Sequence, residues 1–395
     1  MRPLGDYKTL INVIIAVVNL KLRINFGNHQ KTMYSLVRPV LFSLDAERAH
    51  DLTMDNLARV SKVPFLTSQI QKLYGDCVAS LPVQCMGLDF KHPIGLAAGL
   101  DKDARAFPAF SAIGFSAVEM GTVTPEPQEG NDKPRIFRLR EDEAMINRLG
   151  FNSGGVDAFL KNIKVTDKTA VAGINIGKNA STDIAEAYTD YVSSLQRVYA
   201  KADYITVNIS SPNTKSLRDL QNETYLDELL LKIKTMHSKC QKVHKRYVPM
   251  ALKVAPDLKD EEFETIAELL ISHQFDALIA SNTTVARPDS LNSPHQGQGG
   301  GLSGAPLKDR ATDCIAKFYP LLAGKVQIIG VGGIKTADDA WEKLVAGADY
   351  LQVYTQFIYQ GPALVADIVK GLKSKVEQRG FQSLAEAIAS ERKAV

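Results

Sequence analysis

Cysteine is scarce: Cys77, Cys85, Cys240 and Cys314 are the only four in 395 residues, far apart and without a CxxC pair. That excludes a disulfide framework and a zinc or iron–sulfur centre held by this chain, and it suits a reducing compartment. The seven histidines (29, 50, 92, 237, 244, 273 and 295) show no HxxxH spacing, so no metal is expected. There is no zinc-finger spacing and no basic run interleaved with aromatics, and the net charge is only +3, so nucleic acid is not an expected partner. Long hydrophobic runs are also missing. The most apolar stretch, Leu10–Leu20, covers eleven residues and is interrupted by Asn12 and Asn19, whereas a spanning helix needs about 20. No GxGxxG follows an apolar run, which argues against the dinucleotide crevice of an open, doubly wound sheet.

What is present is ordinary soluble composition, 45% hydrophobic and 23% charged, in a chain long enough for one large domain with an appendage, or two domains. From residue 93 apolar, strand-like runs recur at Ile94–Ala98, Ala117–Gly121, Val171–Ile176, Ile205–Ile209, Met250–Val254, Ala277–Ala280, Val326–Val331 and Tyr350–Tyr354. Helically spaced stretches lie between most of them: Tyr188–Tyr199, Leu226–His237, Glu261–Ser272, Leu307–Tyr319 and Ala337–Ala346. Eight strands alternating with helices predict an α/β fold, a parallel (β/α)8 TIM barrel, over residues 76–395. Two loops break the rhythm, Pro125–Gly155 and Val285–Gly304, and loops this long inside a compact domain are usually functional.

The N-terminal part reads differently. Leu10–Leu20 is followed at once by Lys21 and Arg23 with no cleavage site, so residues 1–32 read as an extension outside the fold, or alternatively as a membrane-surface anchor. Residues 33–75 read as a small helical region. Its first helix is Met33–Leu44, which Pro39 should break or kink. Its second is Ala46–Val60, capped by Asp45, with Ala49, Leu52, Met54, Leu57 and Val60 as the apolar positions. Residues 1–48 hold seven Lys/Arg against three acids, a net +4. The pair is therefore either a basic, apolar lid touching anionic lipid or an ordinary helical cap on the domain.

In such a barrel chemistry sits at the C-terminal strand ends. The richest is residues 204–214: Tyr204–Ile209 reads as a strand, Pro212 stops it, and Asn208, Ser210, Ser211, Asn213 and Thr214 crowd its end. Elsewhere the ends bring Gly99 and Lys102, Thr122, Asn175, Lys253, Ser281-Asn282-Thr283, Gly332-Gly333 and Tyr354-Thr355. These are amides, hydroxyls, glycines and two lysines, a set suited to a planar ligand with many hydrogen-bonding atoms and some negative charge. Gly332-Gly333 and Tyr354-Thr355 fall where barrels bind phosphate through backbone N–H groups, with Ser303 and Gly304 able to add donors, which points to a flavin mononucleotide rather than a dinucleotide.

The segments Ala97–Lys102, Gly121–Pro125, Ile146–Asn152, Asn175–Asn179, Val207–Thr214, Lys253–Asp257, Ser281–Thr284 and Gly300–Gly304 resemble the dihydroorotate dehydrogenase family over roughly residues 33–385. Within it the chain is similar to the membrane-associated, quinone-using class, whose base is a serine. The soluble class uses a cysteine there; here Ser211 stands at that position.

The resemblance implies FMN held by Ala97, Ala98, Gly99, Thr122, Asn175, Asn208, Lys253, Ser281, Ser303, Gly304, Gly332, Gly333, Tyr354 and Thr355. It implies dihydroorotate, and the product orotate, bound by Lys102, Asn147, Arg148, Leu149, Gly150, Phe151, Asn208, Asn213, Asn282 and Thr283. Ser211 would be the base, with Thr214 and the Phe151 backbone organising a proton-accepting water. Ser281 departs from the threonine of many relatives but keeps the hydroxyl. The partner implied is a membrane quinone entering beneath the 33–60 helices. The location implied is peripheral, on the cytoplasmic side of a cell inner membrane, since no Arg/Ser-rich transit pattern is found. Two other classes remain in view: a Schiff-base aldolase using Lys253, and a non-catalytic barrel serving as a scaffold.

Overall fold

The computed structural model describes residues 29–165 and 169–392; Leu10–Leu20 and most of the expected extension lie outside the described residues. The eight expected strands form, each within two residues of its predicted ends: β1 (Ile94–Leu96), β2 (Ala117–Val123), β3 (Val171–Ile176), β4 (Tyr204–Asn208), β5 (Met250–Val254), β6 (Ala277–Ala280), β7 (Gln327–Val331) and β8 (Tyr350–Val353). They are parallel and close in chain order, β8 pairing with β1. This is the (β/α)8 barrel that the alternation predicted.

Period-2 alternation explains why the runs read as nearly all apolar. On β2 Val118 and Met120 pack outward with the helix layer, while Ala117 packs inward with Tyr204, Ala251, Ala277, Ile279, Ile329 and Tyr350. A two-stranded hairpin, Val83–Cys85 with Leu88–Phe90, plugs the N-terminal end of the barrel. Phe90 packs on Tyr350 with ring centroids 4.2 Å apart, and the Met86 N–H donates to Gln327 Oε1 at 2.6 Å. With the bottom sealed, only the end carrying the polar residues is open.

The two long loops contain strands that their Pro, Gly and Asn content concealed. Ile136–Leu139 and Ala144–Asn147 form a hairpin, and Gly301–Gly304 adds to it antiparallel, making a three-stranded sheet above the mouth.

Among the described residues three helices precede the barrel: α1 (His29–Ser43), α2 (Ala46–Val60) and α3 (Pro64–Leu73), the last not foreseen. Asp45 caps α2 as expected, accepting from the Glu47 and Arg48 N–H groups at 3.0 Å each. Of the two effects expected of Pro39, the break does not occur: α1 runs through it as one helix. Proline removes one intrahelical bond, but this helix is fastened from outside. Tyr34 Oη donates to Ile358 O, Arg38 Nη1 to Tyr359 O (3.0 Å) and Arg138 to Leu41 O (3.0 Å) and Leu44 O, while Phe42 packs edge-on against Tyr359.

α2 is held by a buried ion pair: Arg135 meets Glu47 through Nε (3.1 Å) and Nη2 (2.8 Å). Burial pushes the Glu47 carboxyl up, but hydrogen bonds from Arg135 and Lys133 overcome it and hold the group below its ordinary value. Removing one partner of such a pair strands the other charge. Glu47→Ala is expected to cost about 3 kcal/mol in denaturant unfolding and to speed proteolysis of the α1–α2 segment. Because the folded pKa is depressed, Glu47's contribution is present above about pH 4.3 and fades on acidification below it, so the wild-type advantage over the variant should shrink there.

Candidate active site

The strand ends open into a cavity of ≈ 1040 Å³, solvent included. Its walls include Ala97, Ala98, Gly99, Thr122, Asn208, Lys253, Ser281, Ser303, Gly304, Gly332, Gly333, Tyr354 and Thr355, and, on the side of the three-stranded sheet, Lys102, Asn147, Leu149, Gly150, Phe151, Ser211, Asn213, Asn282 and Thr283. Three of the expected site residues do not line it. Asn175 is wholly buried behind Thr122, and Thr214 is buried with its hydroxyl lacking any protein partner. Arg148 is turned away: its guanidinium bonds Gln298 Oε1 (2.9 Å) and Pro134 O (2.9 Å) and lies 4.6 Å over the Phe137 ring. Its role is to pin the loop from β6 to the hairpin.

Under the cavity floor the barrel interior holds a carboxylate that the strand-end reading missed. Glu119, mid-β2 and wholly buried, accepts from Asn175 Nδ2 (2.7 Å), Tyr204 Oη (2.9 Å) and Gln352 Nε2 (2.7 Å). Lys253 shares this interior; burial lowers its pKa, and the Glu119 charge opposes that. Lys102 is brought down to about 8, mainly by desolvation and then by the Arg135 charge, with Glu47 opposing; its ammonium donates to Asn152 Oδ1 at 2.6 Å.

At the other end of the cavity the donors are backbone. The N–H groups of Gly333, Ile334 and Tyr354 donate to no acceptor among the described residues. Gly333 has φ +70°, and a Cβ there would fall 2.5 Å from Lys308 Cα. Only glycine lets the chain pass so closely while presenting its N–H to the cavity. Gln352 Oε1 and Gln356 Oε1 are likewise buried without partners on the cavity wall. Unpaired donors at the β7 and β8 ends, glycine approach, and amides along the wall fit a phosphate-bearing, planar heterocycle.

The loops are tied together by a residue the sequence did not single out. Arg218 donates to Ser210 O (3.1 Å), Asp257 Oδ2 (2.9 Å) and Thr283 O (2.9 Å), and Asp257 also accepts from Thr284 Oγ1 and the Val285 N–H (2.9 Å). Ser211 lies in the segment so held; its Oγ accepts from the Asn213 N–H (3.3 Å), and no side-chain base hydrogen-bonds it among the described residues. Asn213 Nδ2 reaches Asn147 Oδ1 at 3.2 Å, joining two walls of the cavity.

A second cavity, ≈ 940 Å³ and mostly apolar, lies between α1, α2 and the barrel, lined by Tyr34, Phe42, His50, Leu57, Arg138 and Phe357 among others. The two cavities meet at one residue, Tyr354, whose Oη donates to Gly99 O at 3.4 Å. Burial, with the nearby Lys102 charge, pushes His50 down to about 4, so its imidazole is neutral at physiological pH. His50, Tyr34 and Arg138 carried no strand-end signal; only their place on or facing the helical pair marked them.

The closed parallel barrel and its mouth place the protein among the (β/α)8 barrels with a strand-end site suited to a phosphate-bearing planar ligand. Comparison with known proteins gives the particular family. The dihydroorotate dehydrogenase family model matches residues 80–376. Dihydroorotate dehydrogenase (quinone) of Idiomarina loihiensis is 49% identical over 340 residues, 86% of this chain and all of the relative; that of Vibrio cholerae is 50% identical with the same coverage. The crystal structure of the Eimeria tenella dihydroorotate dehydrogenase in complex with ferulenol superposes with a TM-score of 0.80 at 37% identity, covering 89% of this chain and 98% of that one. The chain belongs to the dihydroorotate dehydrogenase family.

Proposed function

We propose that this protein oxidises dihydroorotate to orotate in pyrimidine biosynthesis with FMN as its cofactor and a membrane quinone as electron acceptor. The observation that carries the reading is the pairing of two cavities at Tyr354, one rich in amides, hydroxyls and lysines and the other almost wholly apolar. FMN would be held with its phosphate on the Gly304, Gly333, Tyr354 and Thr355 backbone and its ring along Ala97–Gly99, Thr122, Asn208, Lys253 and Ser281. Asn175 would act from behind Thr122. Bound there, FMN would supply the hydride acceptor and the redox link to the quinone.

The chain's own residues do the rest. Lys102 meets the substrate carboxylate, and Asn147, Asn208, Asn213, Asn282 and Thr283 bind its ring amides. Leu149, Gly150 and Phe151 close over it and exclude water, with Arg148 holding their loop. Ser211 Oγ takes the C5 proton. A serine hydroxyl is a weak base alone, so it needs an onward acceptor; the unpartnered Thr214 hydroxyl and the Phe151 carbonyl supply sites for a water in that role. The apolar cavity beneath α1 and α2 receives the quinone. Peripheral attachment rests on exposed Leu36 and Val40 on α1 and Val63, Phe65 and Leu66 at the α2–α3 turn, beside Lys62 and Lys72. Among the described residues no helix is long and apolar enough to cross a membrane. That face supports peripheral contact with a membrane surface, which we place on the cytoplasmic side of a cell inner membrane as part of the proposal.

The deciding experiment is the visible spectrum before and after anaerobic dihydroorotate. Flavin absorbance that bleaches and returns with a quinone, but not with fumarate or NAD, is the expected result; a flavin indifferent to dihydroorotate would overturn the substrate. Ser211→Ala should keep flavin and fold while slowing anaerobic bleaching by about 10²-fold or more, and undiminished bleaching removes Ser211 from the mechanism. Lys102 is charged below its pKa of about 8 and loses that charge as pH rises through it. The KM for dihydroorotate is therefore expected to be flat at neutral pH and to climb above about pH 8, a climb absent in Lys102→Arg.

A further inference from the structure

A carboxylate accepts hydrogen bonds and donates none, whereas a primary amide does either, depending on which way it is turned. Glu119 Oε1 therefore obliges Asn175 to point its NH2 downward, at 2.7 Å, and its carbonyl upward. Asn175 Oδ1 then accepts from Thr122 Oγ1 (2.5 Å) and from Asn208 Nδ2 (3.2 Å), which also donates to Thr122 Oγ1 at 3.0 Å. With its NH2 committed, Asn208 turns its carbonyl to the Ser210 N–H (3.2 Å), Ser210 Oγ (3.0 Å) and Asn282 Nδ2 (3.5 Å). Asn282 in turn donates to Ser210 Oγ (2.9 Å) and accepts the Thr283 N–H (2.8 Å) on its carbonyl. The relay climbs from the middle of the barrel to Thr122, Asn208, Asn282 and Thr283 of the cavity wall, and its amides face the way that the carboxylate at its foot and the Ser210 and Thr283 N–H groups at its head both require. Tyr204 and Gln352 donate to the other oxygen and hold the carboxylate itself in one position.

From this we infer that Glu119 is a positioning residue for the reaction: it sets, through Asn175, the sense in which Asn208 and Asn282 present carbonyl and NH2 to the substrate ring. A glutamine at this position keeps its carbonyl toward Tyr204 and Gln352 and turns its NH2 to Asn175, which then turns over and sets its own NH2 against that of Asn208, so that the relay loses a hydrogen bond and Asn208 no longer holds its place at the substrate ring. The inference rests on the reading that the mouth takes orotate; a wild-type holoprotein that does not bind orotate would defeat that reading and not this one.

The test is orotate affinity of the oxidised holoprotein, by calorimetry and by the perturbation of the flavin spectrum. E119Q is expected to retain flavin and to bind orotate about tenfold more weakly, the scale of one buried amide hydrogen bond lost. The double variant E119Q/N175D moves the acceptor-only group one step up the relay: the new amide donates to the new carboxylate, which still accepts from Thr122 and Asn208, and the buried charge is conserved. It is expected to return affinity to within about threefold of wild type, whatever E119Q alone does to folding. A packing role for Glu119 predicts no such rescue. Unchanged orotate affinity in E119Q overturns the inference, as does a double variant that fails to fold or that binds orotate no better than E119Q.

Discussion

One guanidinium decides whether this barrel has an active site. Parallel strands converge on their C-terminal ends but nothing in the sheet fixes the loops that leave them, and three of those loops carry the chemistry. Arg218 bonds the carbonyls of Ser210 and Thr283 and pairs with Asp257, which takes Thr284 and Val285 in turn. The ends of β4, β5 and β6 are thereby one piece, with Ser211, Lys253 and Asn282 at fixed offsets from it. Being partly buried and charge-assisted, these bonds are stronger than neutral ones and less screened.

The barrel was legible because buried parallel strands are near-continuous apolar runs, and eight of them separated by helical spacing leave few alternatives. The cavity wall was legible for a related reason: a polar residue that follows an apolar run is conspicuous. Where the signal failed, the physics explains it. Gly301–Gly304 and Ile136–Leu139 are strands whose stability comes from pairing above the mouth rather than from their own composition. Pro39 was read as breaking or kinking its helix, and the break is absent because propensity knows nothing of Arg38, Arg138 and Phe42 holding α1 from outside. Arg148 sat within a site segment, yet its side chain leaves on the far side of the strand. Glu119 was hidden by its position: a single carboxylate inside the most apolar part of the chain reads as an exception to the strand, and only the register shows four polar side chains meeting there.

The two cavities divide the work by polarity. The one at the strand ends offers directed hydrogen bonds and a lysine whose charge is sensitive near pH 8; the one beneath α1 and α2 is lined with aliphatic and aromatic groups and a neutral His50. An anionic, hydrated molecule and an apolar one are thus sorted by desolvation before any specific contact is made. Tyr354 lines both cavities.

The three-stranded sheet over the mouth has a mechanical meaning. Asn147 at one end of its middle strand pairs with Gly301, and Ala144 at the other pairs with Gly304, while Arg138 and Arg140, next along the hairpin, grip the carbonyls of Leu41, Leu44 and Phe42 at the end of α1. The sheet bears on the Asn147 side of the cavity with one end and on the Gly304 side with the other, and through Arg138 and Arg140 it is yoked to the end of α1. A load on α1 is therefore shared by both ends of the cavity rather than borne by either alone.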